Sequence, residues 1–123
     1  MAYYIVKAIA GYKILCNLLF RGGSMPFYML PPKELEATQR QKNAVVVDLR
    51  ETKEYHKWHY RNAVWMPYCE SENWLNRFNK GQTYILYCDY GNISLLAARK
   101  LSQRNITAYT VIGGAKELKR YSR

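Results

Sequence analysis

The chain of 123 residues reads as an α/β fold: a single three-layer domain with a parallel, roughly five-stranded sheet flanked by helices. Three observations predict this. Short apolar or aromatic runs alternate with segments of helical character. Two of the runs, "AVVVDL" and "TYILYC", are apolar throughout, as strands buried on both faces are. The connections are short, and regular alternation with short connections resolves into parallel strands joined by right-handed crossovers.

The elements follow in order. "FYML", from Phe27, is a short strand stopped by Pro31 and Pro32, and the second proline is placed to open the helix "KELEATQRQK". The three valines of "AVVVDL" make the strongest strand. "ETKEYHKW" is a short helix with acids in its first turn, where the helix dipole favours them. "AVWMPY" is a strand closed by Pro67, and "ENWLNRF" a helical turn or two before "NKGQ" reverses the chain. "TYILYC" is the next buried strand and "SLLAARKLSQR" a helix. "TAYTVI" is the last strand, and "GGAKELKRY" the last helix.

Residues 1–24 stand apart from this domain of residues 25–123. The segment carries no acid, and Lys7 and Lys13 interrupt its apolar run before it reaches the length of a membrane span. No small-residue cleavage site follows "ILCNLLF". Ile5, Ala8, Ile9, Tyr12, Cys16 and Leu19 share one helical face, so the segment reads either as an accessory helix or as a mis-assigned start. "RGGSM" can be encoded by a purine-rich ribosome-binding stretch ahead of a start codon at Met25.

The net charge of +10 suits an anionic partner, whether nucleic acid, acidic protein or small oxyanion. The basic residues are scattered except in "KELKRYSR", and no nucleic-acid motif is present, so neither nucleic acid nor membrane is expected as a partner. Three cysteines, Cys16, Cys69 and Cys88, form an odd set without metal spacing. They point to free thiols in a reducing, cytoplasmic setting. Neither a metal nor a cofactor is expected, and oligomeric state is left open.

Cys88 stands where a buried strand ends and a helix begins, the end of the strand at which ligands bind in parallel sheets. A helix N-terminus presents unpaired N–H groups and a partial positive charge. A thiolate held there is stabilised as a nucleophile. The loop Asp89, Tyr90, Gly91, Asn92, Ile93 and Ser94 is short enough to curl its amides around the sulfur. Gly91 permits a positive φ, Asn92 offers side-chain hydrogen bonds, and Ser94 is expected to cap the helix by accepting an N–H. On these residues alone a small buried thiol at a strand end is an equally good reading.

Three motifs in sequence break the tie. Asp48, Arg50, Glu54, Tyr55, His59 and Ala63 match a pattern D-x-R-x-x-x-E-Y-x-x-x-H-x-x-x-A; Cys88 and Gly91 follow at loop spacing; Gly113 and Gly114 precede the last helix. From about Phe27 to Tyr121 the chain resembles the rhodanese-like domain family. The resemblance implies a single-domain sulfurtransferase. By the same resemblance, Cys88 is expected to take a sulfane sulfur from thiosulfate or a persulfide, a protein persulfide included, and to pass it to a thiol or cyanide acceptor. Residues 89–94 form the anion cradle, with Arg50 a further candidate for attracting the substrate.

Departures from the family pattern also carry expectations. Many members have a loop cation, whereas this loop has Asp89 and Ile93, which disfavours the dianion thiosulfate. Trp58 stands where a glycine is usual and Leu118 where a tryptophan is common. Cys69 is a candidate resolving thiol, and His59 reads as structural. Two alternatives remain: a non-catalytic rhodanese-like binding module, and a phosphatase or arsenate reductase of the related fold. The second lacks the arginine that would close its loop, since Arg99 lies inside the helix.

Overall fold

The computed structural model describes residues 26–121. The proposed N-terminal helix face and Cys16 lie outside these residues. Five strands, β1 (Phe27–Leu30), β2 (Val45–Asp48), β3 (Val64–Trp65), β4 (Tyr84–Tyr87) and β5 (Ala108–Val111), form one parallel sheet in the order β1-β5-β4-β2-β3. Five α-helices alternate with them: α1 (Leu35–Lys42), α2 (Thr52–Lys57), α3 (Glu72–Leu75), α4 (Asn92–Gln103) and α5 (Gly114–Leu118). Pro32 opens a single 3₁₀ turn, Pro32–Glu34, and α1 continues from it. Among the described residues, no helix is long and apolar enough to cross a membrane.

Strand alternation sorts the core into two halves. Val46, Ile85, Tyr87, Tyr109 and Val111 face one side with Leu35, Ala115 and Leu118, so α1 and α5 cover that face. Val47, Tyr84, Leu86, Cys88 and Ala108 face the other with Trp74, Leu75, Ala97, Ala98 and Leu101, so α3 and α4 cover it. The period of two along β4 therefore delivers Cys88 to the α4 face. It also delivers Thr110 of β5 to that face, because Tyr109 and Val111 point the other way.

β3 is shorter than "AVWMPY" predicts. Val64 and Trp65 pair with Val47 and Asp48 at the sheet edge, and both are exposed. Pairing continues beyond them only as separate bonds, Met66 N–H to the Asp48 carbonyl and Tyr68 N–H to the Leu49 carbonyl. Pro67 between them has no N–H to give.

The order of strands fixes the place of the site. From β2 the chain proceeds outward to β3 on one side, and from β4 outward to β5 on the other. The neighbouring carboxyl ends of β2 and β4 thus form a topological switch point, where loops diverge and leave a crevice.

Candidate active site

Cys88 immediately follows β4 at that crevice and is 3% exposed. Its Sγ accepts two main-chain hydrogen bonds, from Gly91 N–H and Ser94 N–H, both at 3.2 Å. Gly91 makes the convergence feasible. It is the N-cap of α4 with φ +106°, a conformation that costs an L side chain dearly. A Cβ there would also press on Gly113 N at 3.2 Å.

Ser94 does not cap α4. The helix begins at Asn92, so Ser94 lies inside its first turn, fully buried, with its hydroxyl turned toward the sheet. That hydroxyl lies 2.7 Å from Thr110 Oγ1, donates to the Gly91 carbonyl at 3.3 Å and sits 3.5 Å from Cys88 Sγ. The correction has a simple cause: a glycine at positive φ starts the helix earlier than a side-chain cap at Ser94 would. Thr110 was missed in the sequence, although a hydroxyl in the middle of "AYTV" in a fully buried strand is itself a signal. Such a group needs a partner.

The remaining loop residues surround the mouth. Leu49, Arg50, Glu51, Tyr68, Cys88, Asp89, Tyr90, Asn92 and Ile93 line a cavity of about 490 Å³. Asn92 Oδ1 is 3.9 Å from Sγ, and Tyr90 is 69% exposed at the rim. Asp89 is half exposed, and its carboxylate stands 3.8 Å from Arg50 Nη1. Tyr68, Leu49 and Glu51 enter from the ends of other strands, which motif spacing around Cys88 does not reveal. Cys69 is exposed, 3.6 Å from Ser71 Oγ, and does not line the cavity.

Arg50 is buried and committed to Asp48. Its Nε and Nη2 clasp the carboxylate at 3.1 and 2.9 Å, and its main-chain N–H adds a third bond at 2.8 Å. Nη2 also donates to the Trp58 carbonyl. Burial opposes the guanidinium's charge, but the hydrogen bonds and charge of Asp48 outweigh it, and the pKa is raised. Tyr87 completes the cluster. Its hydroxyl donates to Asp48 Oδ2 at 2.6 Å and accepts from Tyr60 N–H at 2.9 Å. Burial first, then Asp48, push its pKa upward, so it remains a donor. Nη1 of Arg50 is left facing Asp89 and the cavity. His59 stacks on Tyr55 at 3.9 Å and its Nδ1 meets the Tyr55 carbonyl at 2.9 Å.

A second device holds the loop from behind. The N–H of Ala115 bonds the Cys88 carbonyl at 2.7 Å, and that of Lys116 bonds the Asp89 carbonyl at 3.2 Å. The first turn of α5 thus docks on the two residues that leave β4. Gly114 allows it: a Cβ there would fall 2.5 Å from the Cys88 carbonyl oxygen and 2.6 Å from the Asp89 carbonyl.

A crevice at a parallel switch point, with a thiol that accepts main-chain hydrogen bonds at a helix start, defines the class: an α/β domain with a cysteine loop at the mouth of its crevice. Residues 31–121 match the rhodanese-like domain, and the chain belongs to that family. Among curated proteins it is 32% identical over 83 residues to a tRNA sulfurtransferase of Pyrobaculum aerophilum, covering 68% of this chain and 17% of that one. It is 40% identical over 68 residues to a tRNA sulfurtransferase of Thermoplasma acidophilum, covering 55% and 14%. The chain therefore spans less than a fifth of the length of these relatives. A rhodanese-like domain protein from Staphylococcus aureus is 27% identical with a TM-score of 0.65, covering 73% of this chain and 89% of that one. A rhodanese-related protein from Thermoplasma volcanium shares the fold at 23% identity and a TM-score of 0.66, covering 75% and 90%.

Proposed function

We propose that the protein is a sulfurtransferase that moves a sulfane sulfur from a donor to a thiophilic acceptor through a persulfide on Cys88. The observation that carries this reading is the pair of 3.2 Å bonds from Gly91 and Ser94 N–H to Sγ beside an open cavity. Main-chain donors already aimed at the sulfur stabilise its anion without reorganisation. The two curated relatives named tRNA sulfurtransferase support the same class of chemistry.

In the first half-reaction the Cys88 thiolate attacks the donor's sulfane sulfur. The donor's S–S bond breaks, and its remaining sulfur leaves with the electron pair, as a thiolate from a persulfide or as sulfite from thiosulfate. In the second, a nucleophilic acceptor attacks the outer sulfur and the Cys88 thiolate is released. Charge and atoms balance in both halves with no external oxidant or reductant. Asp89 at the mouth disfavours a compact dianion, so persulfides are the better donors and thiosulfate the poorer.

Intact mass spectrometry tests the reading. Incubation with glutathione persulfide is expected to add one sulfur atom to the wild type and none to Cys88→Ser, and cyanide or a thiol is expected to remove it. A wild-type chain that gains no sulfur from glutathione persulfide or from thiosulfate, with Cys88 accessible to alkylation, overturns the proposal in favour of a binding module.

A further inference from the structure

A second cavity of about 330 Å³ adjoins the first, lined by Arg50, Glu54, Asp89, Tyr90, Ala115, Lys116 and Lys119. The two share Arg50, Asp89 and Tyr90, so they open on either side of the same three residues. Their charges differ. On the Cys88 side stand two carboxylates, Glu51 and Asp89, against Arg50, which Asp48 already engages. The far side also holds two carboxylates, Asp89 again and Glu54, but adds two cations, Lys116 of α5 and Lys119 just past its end. Each lies against an aromatic ring, Lys116 Nζ 5.9 Å from the Tyr90 centroid and Lys119 Nζ 5.6 Å from that of Trp58.

The acids nearby are spoken for. Glu54 pairs with Lys57 at 3.7 Å, Asp89 with Arg50 at 3.8 Å and Glu117 with Arg120 at 3.4 Å. Among the described residues neither Lys116 nor Lys119 has a carboxylate within ion-pair distance. Two ammonium groups thus flank a polar recess next to a site whose own loop has no cation.

We infer that this recess is a carboxylate subsite, and that the donor is a low-molecular-weight persulfide whose carrier is an amino acid or short peptide. Its carboxylate is held by Lys116 and Lys119 while its sulfane sulfur meets Cys88. The inference rests on the sulfurtransferase reading and specifies its donor. Thiosulfate, too small to reach both cavities, gains nothing from the subsite and meets only Glu51, Asp89 and the already engaged Arg50. The cations that the loop lacks are supplied from α5 and its C-terminal end, distant in sequence but packed on the loop, and they act on the donor's far end rather than on the reacting sulfur.

The test compares wild type with the double variant Lys116→Gln, Lys119→Gln, in which side-chain length is kept and charge removed. Loading of Cys88 is followed with glutathione persulfide and with N-acetylcysteamine persulfide, which has no carboxylate. Two partly exposed ion pairs together give about a tenfold effect. The half-saturating concentration of glutathione persulfide is expected to rise by about that factor, with the rate at saturation unchanged and the carboxylate-free donor unaffected. Equal losses with both donors, or no change with either, overturn the subsite. Binding of S-methylglutathione, which cannot transfer sulfur, is measured by calorimetry in parallel. If no donor loads Cys88 but S-methylglutathione binds the wild type and not the variant, the sulfurtransferase reading fails and the subsite stands. If S-methylglutathione binds both equally, the subsite fails.

Discussion

Replacing Gly114 with alanine sets a methyl group against main-chain atoms that have nowhere to go. The new Cβ would lie 2.5 Å from the Cys88 carbonyl oxygen and 2.6 Å from the carbonyl carbon and oxygen of Asp89. The residue also holds φ +63°, which costs an L side chain about 1–2 kcal/mol. Relieving the clash means withdrawing α5, and that stretches the bonds from Ala115 and Lys116 N–H to the two carbonyls. Each is a net contribution of about 1 kcal/mol, and more where the carbonyl is left buried and unpaired. The expected loss is about 3–4 kcal/mol in all.

Gly113 is the internal control. It too has positive φ, at +80°, but its Cβ would meet the side chain of Glu117, with Cγ at 2.4 Å and Cβ at 2.9 Å. Glu117 Cγ can turn away, but its Cβ is fixed to the helix and needs a small shift, so Gly113→Ala costs the conformational term of about 1–2 kcal/mol plus about 1 kcal/mol of crowding, still below the loss at Gly114. Urea unfolding of the two variants reads the difference directly. Sulfur loading adds a functional reading: Gly114→Ala displaces the residues that begin the anion loop and slows loading, whereas Gly113→Ala leaves it near the wild-type rate. Were Gly114→Ala no less stable than Gly113→Ala, the docking of α5 on the loop would not be what those two glycines serve.

Three further outcomes are expected. Asp48→Asn deprives Arg50 of its buried charged partner, leaving only the half-exposed Asp89 at 3.8 Å, and lowers unfolding free energy by about 3 kcal/mol, measured in urea. Tyr87→Phe deprives the buried Tyr60 N–H of its acceptor and Asp48 of a donor, a loss of about 1–3 kcal/mol by the same assay, with no new strain because the ring is retained. Asp89→Asn removes the carboxylate at the mouth and raises the rate of loading from thiosulfate by roughly two- to fivefold, the size of one exposed charge interaction. Because Asp89 is half exposed, that gain shrinks as salt is added, and a gain indifferent to salt would assign it to packing instead.

The sequence shows the sheet because buried strands are apolar throughout and helices carry polar faces, signals that survive in any tertiary context. Cys88 on the α4 face could be read from the alternation of Tyr84, Leu86 and Cys88 against Ile85 and Tyr87 once α4 was known to cover the same side. β3 was overread because "AVWMPY" has strand composition, whereas an edge position and Pro67 leave only two residues paired in regular register. Ser94 was misassigned because its residue type suits a cap. The geometry turned on Gly91, whose positive φ starts α4 at Asn92 and leaves the Ser94 hydroxyl facing Thr110. The recess between Tyr90 and Lys116 joins segments some twenty-five residues apart, and local pattern carries no trace of such a meeting.

The two ends of α5 divide the work of one site between main chain and side chain. Its first N–H groups bind the carbonyls of Cys88 and Asp89, so the loop's position depends on Gly114 and not on any charge. The side chains of Lys116 within it and Lys119 at its C-terminal cap stand over Tyr90 and Trp58 and contribute charge without touching the loop's own hydrogen bonds. Position and charge are therefore separable by substitution: Gly114→Ala lowers the rate at saturation for every donor, and loss of the two lysines weakens only donors that carry a carboxylate. A loop that stabilises its sulfur with amides needs no cation of its own, and on the proposed reading the two lysines attract an extended anion while Asp89, half exposed at the mouth, disfavours a compact one.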